Sequence, residues 1–167
     1  MGRTHFDGLR MVASVGPGTL DPSRITLAVE TALSAIEARV LSLIQDGARG
    51  TKPLDDVVTE LVLMTTEIRS HYVHLQDLSD RRDLTFEGMA GLEVARKRCL
   101  WLYRKTKLER CFFAKLQLER CLRDDIYRQI VETWQEMSSL EEAEREARAA
   151  DDATIAAELL KEANFAT

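Results

Sequence analysis

Apolar side chains recur at helical spacing along most of this chain. Between residues 22 and 46 the spacing is three or four positions, at Ile25, Val29, Leu33, Ile36, Val40 and Ile44. A second row with the same period lies between residues 54 and 78, at Val57, Leu61, Met64, Ile68, Tyr72, Leu75 and Leu78. Side chains with this spacing share one face of an α-helix. The pattern therefore predicts two amphipathic helices, which we expect to pack antiparallel.

Turn-forming residues set the expected ends of these helices. Asp21 followed by Pro22 predicts an N-cap with proline in the first turn. The glycines and proline of residues 46–53 predict a loop between the two helices, and residues 79–83 predict a polar turn after the second. A short helix over residues 5–14, ended by the glycine and proline residues of 15–19, is predicted before the first stripe.

A third, much longer helix is expected in the second half of the chain. No proline follows Pro53 and no glycine follows Gly91, so nothing obliges a break between residues 92 and 136. A straight helix of that length would span ~68 Å, whereas a compact domain of this size is only ~40 Å across. We therefore predict a bend at residues 123–125, where Asp124 can cap a following helix that carries Ile126, Ile130, Val131 and Trp134.

These elements predict an all-α fold, an elongated bundle of five or six helices around one long central helix. Residues 1–136 form the bundle, and residues 137–167 form an acidic helix of the same domain, beginning at the capping-box pattern of Ser138 or Ser139 with Glu141 or Glu142. No run approaches the ~18 apolar residues of a membrane span, and Met1 does not lead into an apolar signal core. We expect a soluble, intracellular protein.

The central helix is apolar on two sides. At 100° per residue, one side carries Cys99, Leu102, Tyr103, Thr106 and Phe113. Nearly opposite lie Trp101, Leu108 and Phe112. A helix with two apolar sides is either enclosed by its own domain or shared with a partner. The second side therefore predicts a partner interface, to which we assign Trp101, Leu108, Phe112, Arg104, Lys105 and Trp134.

Charge is distributed unevenly along the chain. Residues 96–123 carry ten Lys or Arg against two Glu, and residues 124–167 carry four against twelve acidic residues, net charges of +8 and −8. We expect the basic helix to pair with the acidic last helix or with an acidic partner. The alternative is a nucleic-acid path with aromatic side chains stacked on bases. The pI of about 5.3 argues against a dedicated nucleic-acid binder.

The sequence contains no pattern typical of a catalytic site, so we predict neither enzymatic activity nor a cofactor. Cys99, Cys111 and Cys121 are spaced for neither a zinc site nor a disulfide framework and are expected to be reduced, packed thiols. Cys99 has no nearby base that would make it a nucleophile. A metal-binding face of Glu67, His71 and His74 is the alternative to surface residues beside Tyr72, but it lacks the Glu-x-x-His spacing of di-iron bundles.

One segment carries a resemblance. Lys97-Arg98-Cys99-Leu100 and Tyr103 resemble the Arg-Asn-Lys-Arg-Cys-Leu-x-Ala-Tyr signature of the first "partner of Sld five" subunit family of the eukaryotic GINS replication complex. The order of the short helix, the two helices, the signature helix and a Leu-Ser-x-x-Glu-like segment at residues 137–141 is similar as well. The residues at 95, 96, 102 and 107 depart from the family pattern.

The resemblance implies a function in assembly. Its family forms helical bundles that join three other GINS subunits in a heterotetramer. In the nucleus, that complex binds the Mcm helicase ring, cell-division-cycle protein forty-five and DNA polymerase epsilon during replication initiation and elongation. The family also has a small C-terminal β-rich domain, but the residues up to Thr167 contain no strand-like segment, so we expect the resemblance to cover the helical domain. The other candidate is a coiled-coil adaptor of a kinetochore or tethering complex, although no sustained heptad follows residue 92.

Overall fold

The computed structural model describes residues 22–81, 83–124 and 127–165, which contain no β-strand. Short connections join five α-helices: α1 (Pro22–Arg49), α2 (Leu54–Ser79), α3 (Phe86–Asp124), α4 (Tyr127–Ala149) and α5 (Asp152–Phe165). The all-α prediction is confirmed. The helix predicted at residues 5–14, the turn at 15–19 and the proposed cap at Asp21 lie outside the described residues, as do the side chains of residues 121–131.

Both predicted stripes lie in one hydrophobic core between α1, α2 and α3. Five α1 residues from Ile25 to Val40 are buried, joined by Leu43, and Ile44 is partly buried. Six α2 residues from Val57 to Leu75 are also buried, with Leu78 packed at the edge. Arg96 bonds Tyr72 of α2, whereas Gln117 bonds Asp55 near its start, so α2 and α3 are antiparallel.

Helix α3 is the long central helix predicted from the sequence. Its 39 residues extend ~58 Å, and it contacts each of the other four described helices. It begins at Phe86, earlier than residue 92, because Thr85 caps it: Thr85 Oγ1 accepts a hydrogen bond from the Gly88 N–H at 3.1 Å. The chain turns back after α3, since Lys115 pairs with Glu144 of α4 and Arg104 bonds the Ala150 carbonyl just beyond α4. Residues 125 and 126 of the region in which a bend is predicted lie outside the described residues.

The loop predicted for residues 46–53 is shorter than expected. Helix α1 continues through Gly47 to Arg49 and is ended by Gly50, whose φ of 71° is accessible to glycine. The Gly50 N–H donates to the Gly47 carbonyl at 3.3 Å, and the Thr51 N–H donates to the Asp46 carbonyl at 3.0 Å. This Schellman arrangement satisfies the last carbonyls of α1, so Gly50, not Gly47, is the helix-ending glycine.

The helix start predicted at Ser138 or Ser139 is wrong. Helix α4 continues through Ser138 and Ser139 to Ala149, because no glycine or proline interrupts it and both serines stay exposed on the helix. The next helix starts at Asp152, where Asp151 Oδ1 accepts hydrogen bonds from the Thr154 N–H at 2.8 Å and its hydroxyl at 2.7 Å. The acidic segment after residue 136 is thus the second half of α4 followed by α5.

Gly47 allows α1 and α3 to approach closely. A Cβ atom at this position would lie 2.5 Å from Phe113 Cε1 and 2.8 Å from Cζ. The Phe113 ring is fully buried and has no free space to move into. Glycine is therefore needed here for packing, although it ordinarily weakens a helix interior.

We predict that Gly47→Ala lowers the free energy of unfolding by ~1–3 kcal/mol through overpacking. Gly91→Ala is the matched control, because its Cβ would meet only Thr26 Cγ2, at 3.8 Å; it should stabilise by up to ~1 kcal/mol. Urea unfolding followed by circular dichroism measures both effects. Equal changes in the free energy of unfolding for the two substitutions would show that the Phe113 ring does not restrict the size of the side chain at residue 47.

Candidate partner interface

The outer side of α3 carries a row of exposed apolar side chains. We call this row the α3 outer stripe; its apolar members are Phe86, Met89, Val94, Trp101, Leu108 and Phe112, with Lys97 and Lys105 between them. The members from Val94 to Phe112 follow one another at three or four residues and so share one side of the helix. Phe86 is in line with them, and Met89 lies at the edge of this side. Five of its apolar members are between 48% and 88% exposed, and Leu108 is half-buried.

The opposite side of the same helix lies in the core. Cys99, Leu102, Tyr103, Thr106 and Phe113 are all buried. The two-sided character predicted for α3 is therefore confirmed: one apolar side is enclosed by its own domain and the other is open. Phe86 and Val94 were not assigned to the interface from the sequence. A helical wheel extended toward the start of α3 places both on the side of Trp101, so the same periodicity could have identified them.

Most residues of the resembling segment hold α3 against its own domain. Arg98 Nη2 donates to Ser34 Oγ at 2.8 Å and to Glu37 Oε2 at 3.3 Å, which fixes α3 to α1. The Tyr103 hydroxyl donates to Glu158 Oε1 of α5 at 3.3 Å. Cys99 and Leu100 are buried in the core. Lys97 differs, because it is exposed on the outer stripe.

The basic helix pairs with acidic residues of α4 and α5, as the charge distribution predicted. Lys107 Nζ lies 2.6 Å from Glu158 Oε1, and Lys115 Nζ lies 2.5 Å from Glu144 Oε2. Arg104 Nη2 donates to the Ala150 carbonyl at 2.7 Å and lies 3.6 Å from Asp152. Arg104, assigned above to the partner interface, is therefore engaged at the corner between α4 and α5.

The other predicted interface residues lie in two places. Lys105 stays on the stripe, with its Nζ 4.9 Å from the centroid of the Trp101 ring. Trp134 is exposed on α4, where it borders a shallow groove with Gln135, Ser138 and Glu142. The structure thus brings Trp101, Lys105, Leu108 and Phe112 together on one surface and leaves Trp134 on a neighbouring helix.

The open surface extends from α3 onto α1. Leu27 and Leu41 are exposed and lie, at helical spacing, on the same side of α1 as Glu30, Ser34 and Glu37. Arg98 bonds all three of these polar residues. Near the start of α3 the two helices leave a cleft of about 650 Å³, lined by Leu27, Glu30, Glu87, Gly88 and Gly91 among others. The open surface is therefore two helices wide at this end of α3.

The two cysteines whose side chains the structure describes, Cys99 and Cys111, are buried. Cys99 is fully buried, and this burial raises the pKa of its thiol to about 12, with the nearby Arg98 charge acting in the opposite direction. A thiol with such a pKa stays protonated near neutral pH and is a poor nucleophile. Cys111 is also buried and free. Both agree with the prediction of packed thiols.

The Glu67 carboxylate is occupied by an arginine. Arg39 donates from Nη1 to Glu67 Oε2 at 3.1 Å and from Nη2 to Oε1 at 2.9 Å. His71 is buried, contrary to the expectation of a surface residue, because it lies on the core side of α2 beside Tyr72; His74 is exposed. Within the described residues, no three His, Cys, Asp or Glu side chains are grouped to hold a metal ion.

Comparison of the chain with protein-family models, with curated proteins and with solved structures found no match. None of the described helices is both long and apolar enough to cross a membrane. The features of the chain that bear on its function are therefore the α3 outer stripe, its surroundings and the resemblance of residues 97–103.

Glu144 provides a test of how α4 is held on α3. Its pKa lies below the ordinary value of 4.5, chiefly because Lys115 donates a hydrogen bond to it; partial burial opposes this, and Arg148 lowers the pKa further. A carboxyl group whose pKa is lower in the folded chain stabilises the fold above its unfolded pKa. That contribution is lost as the pH falls through the folded pKa.

We predict that Glu144→Gln lowers the free energy of unfolding at neutral pH by about 0.5–1 kcal/mol. The difference from the unaltered chain should shrink steadily below about pH 4.5. Urea unfolding over this pH range measures it. Glu146→Gln is the control, since Glu146 is exposed and forms no ion pair within the described residues. A difference that stays constant with pH would contradict the prediction.

Proposed function

We propose that this chain is a non-enzymatic structural subunit of the GINS heterotetramer, a scaffold of the eukaryotic replicative helicase. The observation that carries the proposal is the α3 outer stripe, which exposes Trp101 and Phe112 on the helix around which the domain is built. The resemblance of Lys97-Arg98-Cys99-Leu100 and Tyr103 supplies the family. Under this proposal the chain acts in the nucleus, with three other GINS subunits as its direct partners.

The stripe contains the residue types that dominate protein interfaces. Aromatic residues are enriched among interface hot spots because they bury a large area at low entropic cost. Trp101 is 48% exposed and Phe112 is 54% exposed. A partner that covered the open half of each ring would remove ~100 Å² from water per residue, or ~2.5 kcal/mol each. Two such residues supply a substantial part of a stable contact.

The remainder of the resembling segment supports a scaffold role. Arg98 joins α3 to α1, and Tyr103 joins it to α5. Both bonds orient the helix so that Trp101 faces outward. A subunit that acts by presenting a fixed helix face needs this kind of internal support. The same proposal places the Mcm ring, cell-division-cycle protein forty-five and DNA polymerase epsilon as partners of the whole complex.

We predict that Trp101→Ala combined with Phe112→Ala weakens assembly with the three other GINS subunits at least tenfold, the equivalent of ~1.4 kcal/mol. Co-expression of four subunits, followed by light scattering and titration of the purified chain, measures this. The control pair is Val62→Ala with Leu63→Ala, which removes exposed apolar side chains from α2. Circular dichroism confirms that each variant remains folded.

Two results would contradict the proposal. One is a native chain that forms no complex with the other GINS subunits. The other is an equal loss of affinity in the α3 pair and the α2 pair. Arg104→Ala separates assembly from folding, because Arg104 bonds the Ala150 carbonyl within its own chain. We expect that variant to unfold at a lower urea concentration while keeping most of its affinity once folded.

A further inference from the structure

Two cations without a carboxylate partner in the described part of the chain interrupt the apolar α3 outer stripe. The exposed Glu93, which borders the stripe four residues before Lys97, pairs with Arg96 at 3.6 Å. Lys97 and Lys105 lie four residues before and four residues after Trp101. Lys97 is exposed, and Lys105 is stacked on the Trp101 ring. Among the described residues, neither has a carboxylate within ion-pair distance, whereas carboxylates of the same chain pair with Arg96, Arg98, Arg104, Lys107 and Lys115.

We propose that the stripe is covered by an amphipathic helix of a different protein, which carries two carboxylates placed to meet Lys97 and Lys105. The proposal rests on the proposed function, in that it assumes a protein partner at this surface. A partner that covers Trp101 also removes water from the two ammonium groups beside it. An unpaired charge in a closed contact is strongly unfavourable, so the partner has to supply the counter-charges.

The spacing of the lysines defines the partner further. Eight residues of α3 separate them, a distance of ~12 Å along the axis. A helix lying along the stripe would present carboxylates seven or eight residues apart, ~10.5–12 Å, with apolar side chains between them against Trp101. The stripe from Phe86 to Phe112 is ~39 Å long, so a helix of ~26 residues would cover it.

A second copy of this chain does not meet these requirements when the contact is centred on Trp101. In an antiparallel pair, Lys97 of one copy would face Lys105 of the other, and in a parallel pair each lysine would face itself. The whole chain has a net charge of −5, so long-range attraction would favour a basic partner. A preference for an acidic helix would therefore report local contacts of these two lysines.

Two synthetic peptides test the proposal directly. Both are 26-residue amphipathic helices with the same apolar face; one carries glutamate, and the other lysine, at two positions eight residues apart. Binding to the full chain is followed by Trp101 fluorescence in a Trp134→Phe background. We expect the glutamate peptide to bind at least tenfold more tightly, with a preference that weakens as salt is added. K97E combined with K105E should reverse the preference, so that the lysine peptide binds more tightly.

Matched controls locate the effect. Arg49→Glu combined with Arg145→Glu changes the charge by the same amount at exposed positions of α1 and α4 and should leave the preference unchanged. A 20-nucleotide single-stranded DNA tests the nucleic-acid alternative. The proposal is overturned if the two peptides bind equally, if the lysine peptide binds more tightly, or if neither binds. It is equally overturned if the DNA alone binds and K97E with K105E abolishes that binding.

The same variants separate this proposal from the proposed function. GINS assembly that depends on Trp101 and Phe112 but is unaffected by K97E with K105E overturns the acidic-helix proposal and leaves the proposed function standing. Tight, selective binding of the glutamate peptide without affinity for any GINS subunit overturns the proposed function and leaves the acidic-helix proposal standing. Light scattering of the native chain alone tests for self-association. Self-association that is lost in Trp101→Ala would identify a second copy of the chain as the occupant of the stripe and overturn the proposal.

Discussion

The burial of one side of α3 is the constraint on which the rest of the structure depends. Leu102, Thr106 and Phe113 are fully buried, and the helix contacts each of its four described neighbours. Polar side chains around its circumference reinforce this placement: Arg98 bonds α1, Arg96 bonds Tyr72 of α2 at 3.2 Å, and Lys107 pairs with α5. A rotation of α3 would break these contacts together. The outward direction of Trp101 is thus a consequence of the core.

The neighbours of α3 are held by different means. The α1 and α2 helices contribute long rows of buried apolar residues, and Gly47 lets α1 approach the Phe113 ring. Helix α4 has a single buried side chain among those described, Ala147, and depends more on the pairing of its Glu144 with Lys115 of α3. Elements with few buried apolar contacts open at lower free-energy cost than core helices. The α1–α2–α3 core therefore supports the outer stripe, and α4 lies beside it.

The sequence predicted the features that depend on helical periodicity. It did not predict those that depend on contacts between residues far apart in the chain. The stripes of α1 and α2 and both sides of α3 follow from a 3.6-residue period, which a single segment reveals. Gly47 and Ser138 both have residue types typical of helix ends. Gly47 is instead required by contact with Phe113, 66 residues away in the chain, and Ser138 lies within a continuous helix. The bidentate pair of Arg39 and Glu67 joins two helices, and such a pair has no sequence signature.

For the charged residues of α3, the direction of each side chain matters more than the net charge of the helix. The net charge of +8 over residues 96–123 is compatible with a nucleic-acid path. In the structure, Arg98, Arg104 and Lys107 are paired with acidic residues of their own chain, which removes them from a free basic surface. Lys97 and Lys105 remain on an otherwise apolar stripe. Affinity for a phosphate backbone grows with the number of phosphates that are neutralised, and two lysines neutralise few. Two lysines on either side of a tryptophan fit a protein helix with carboxylates at matching positions.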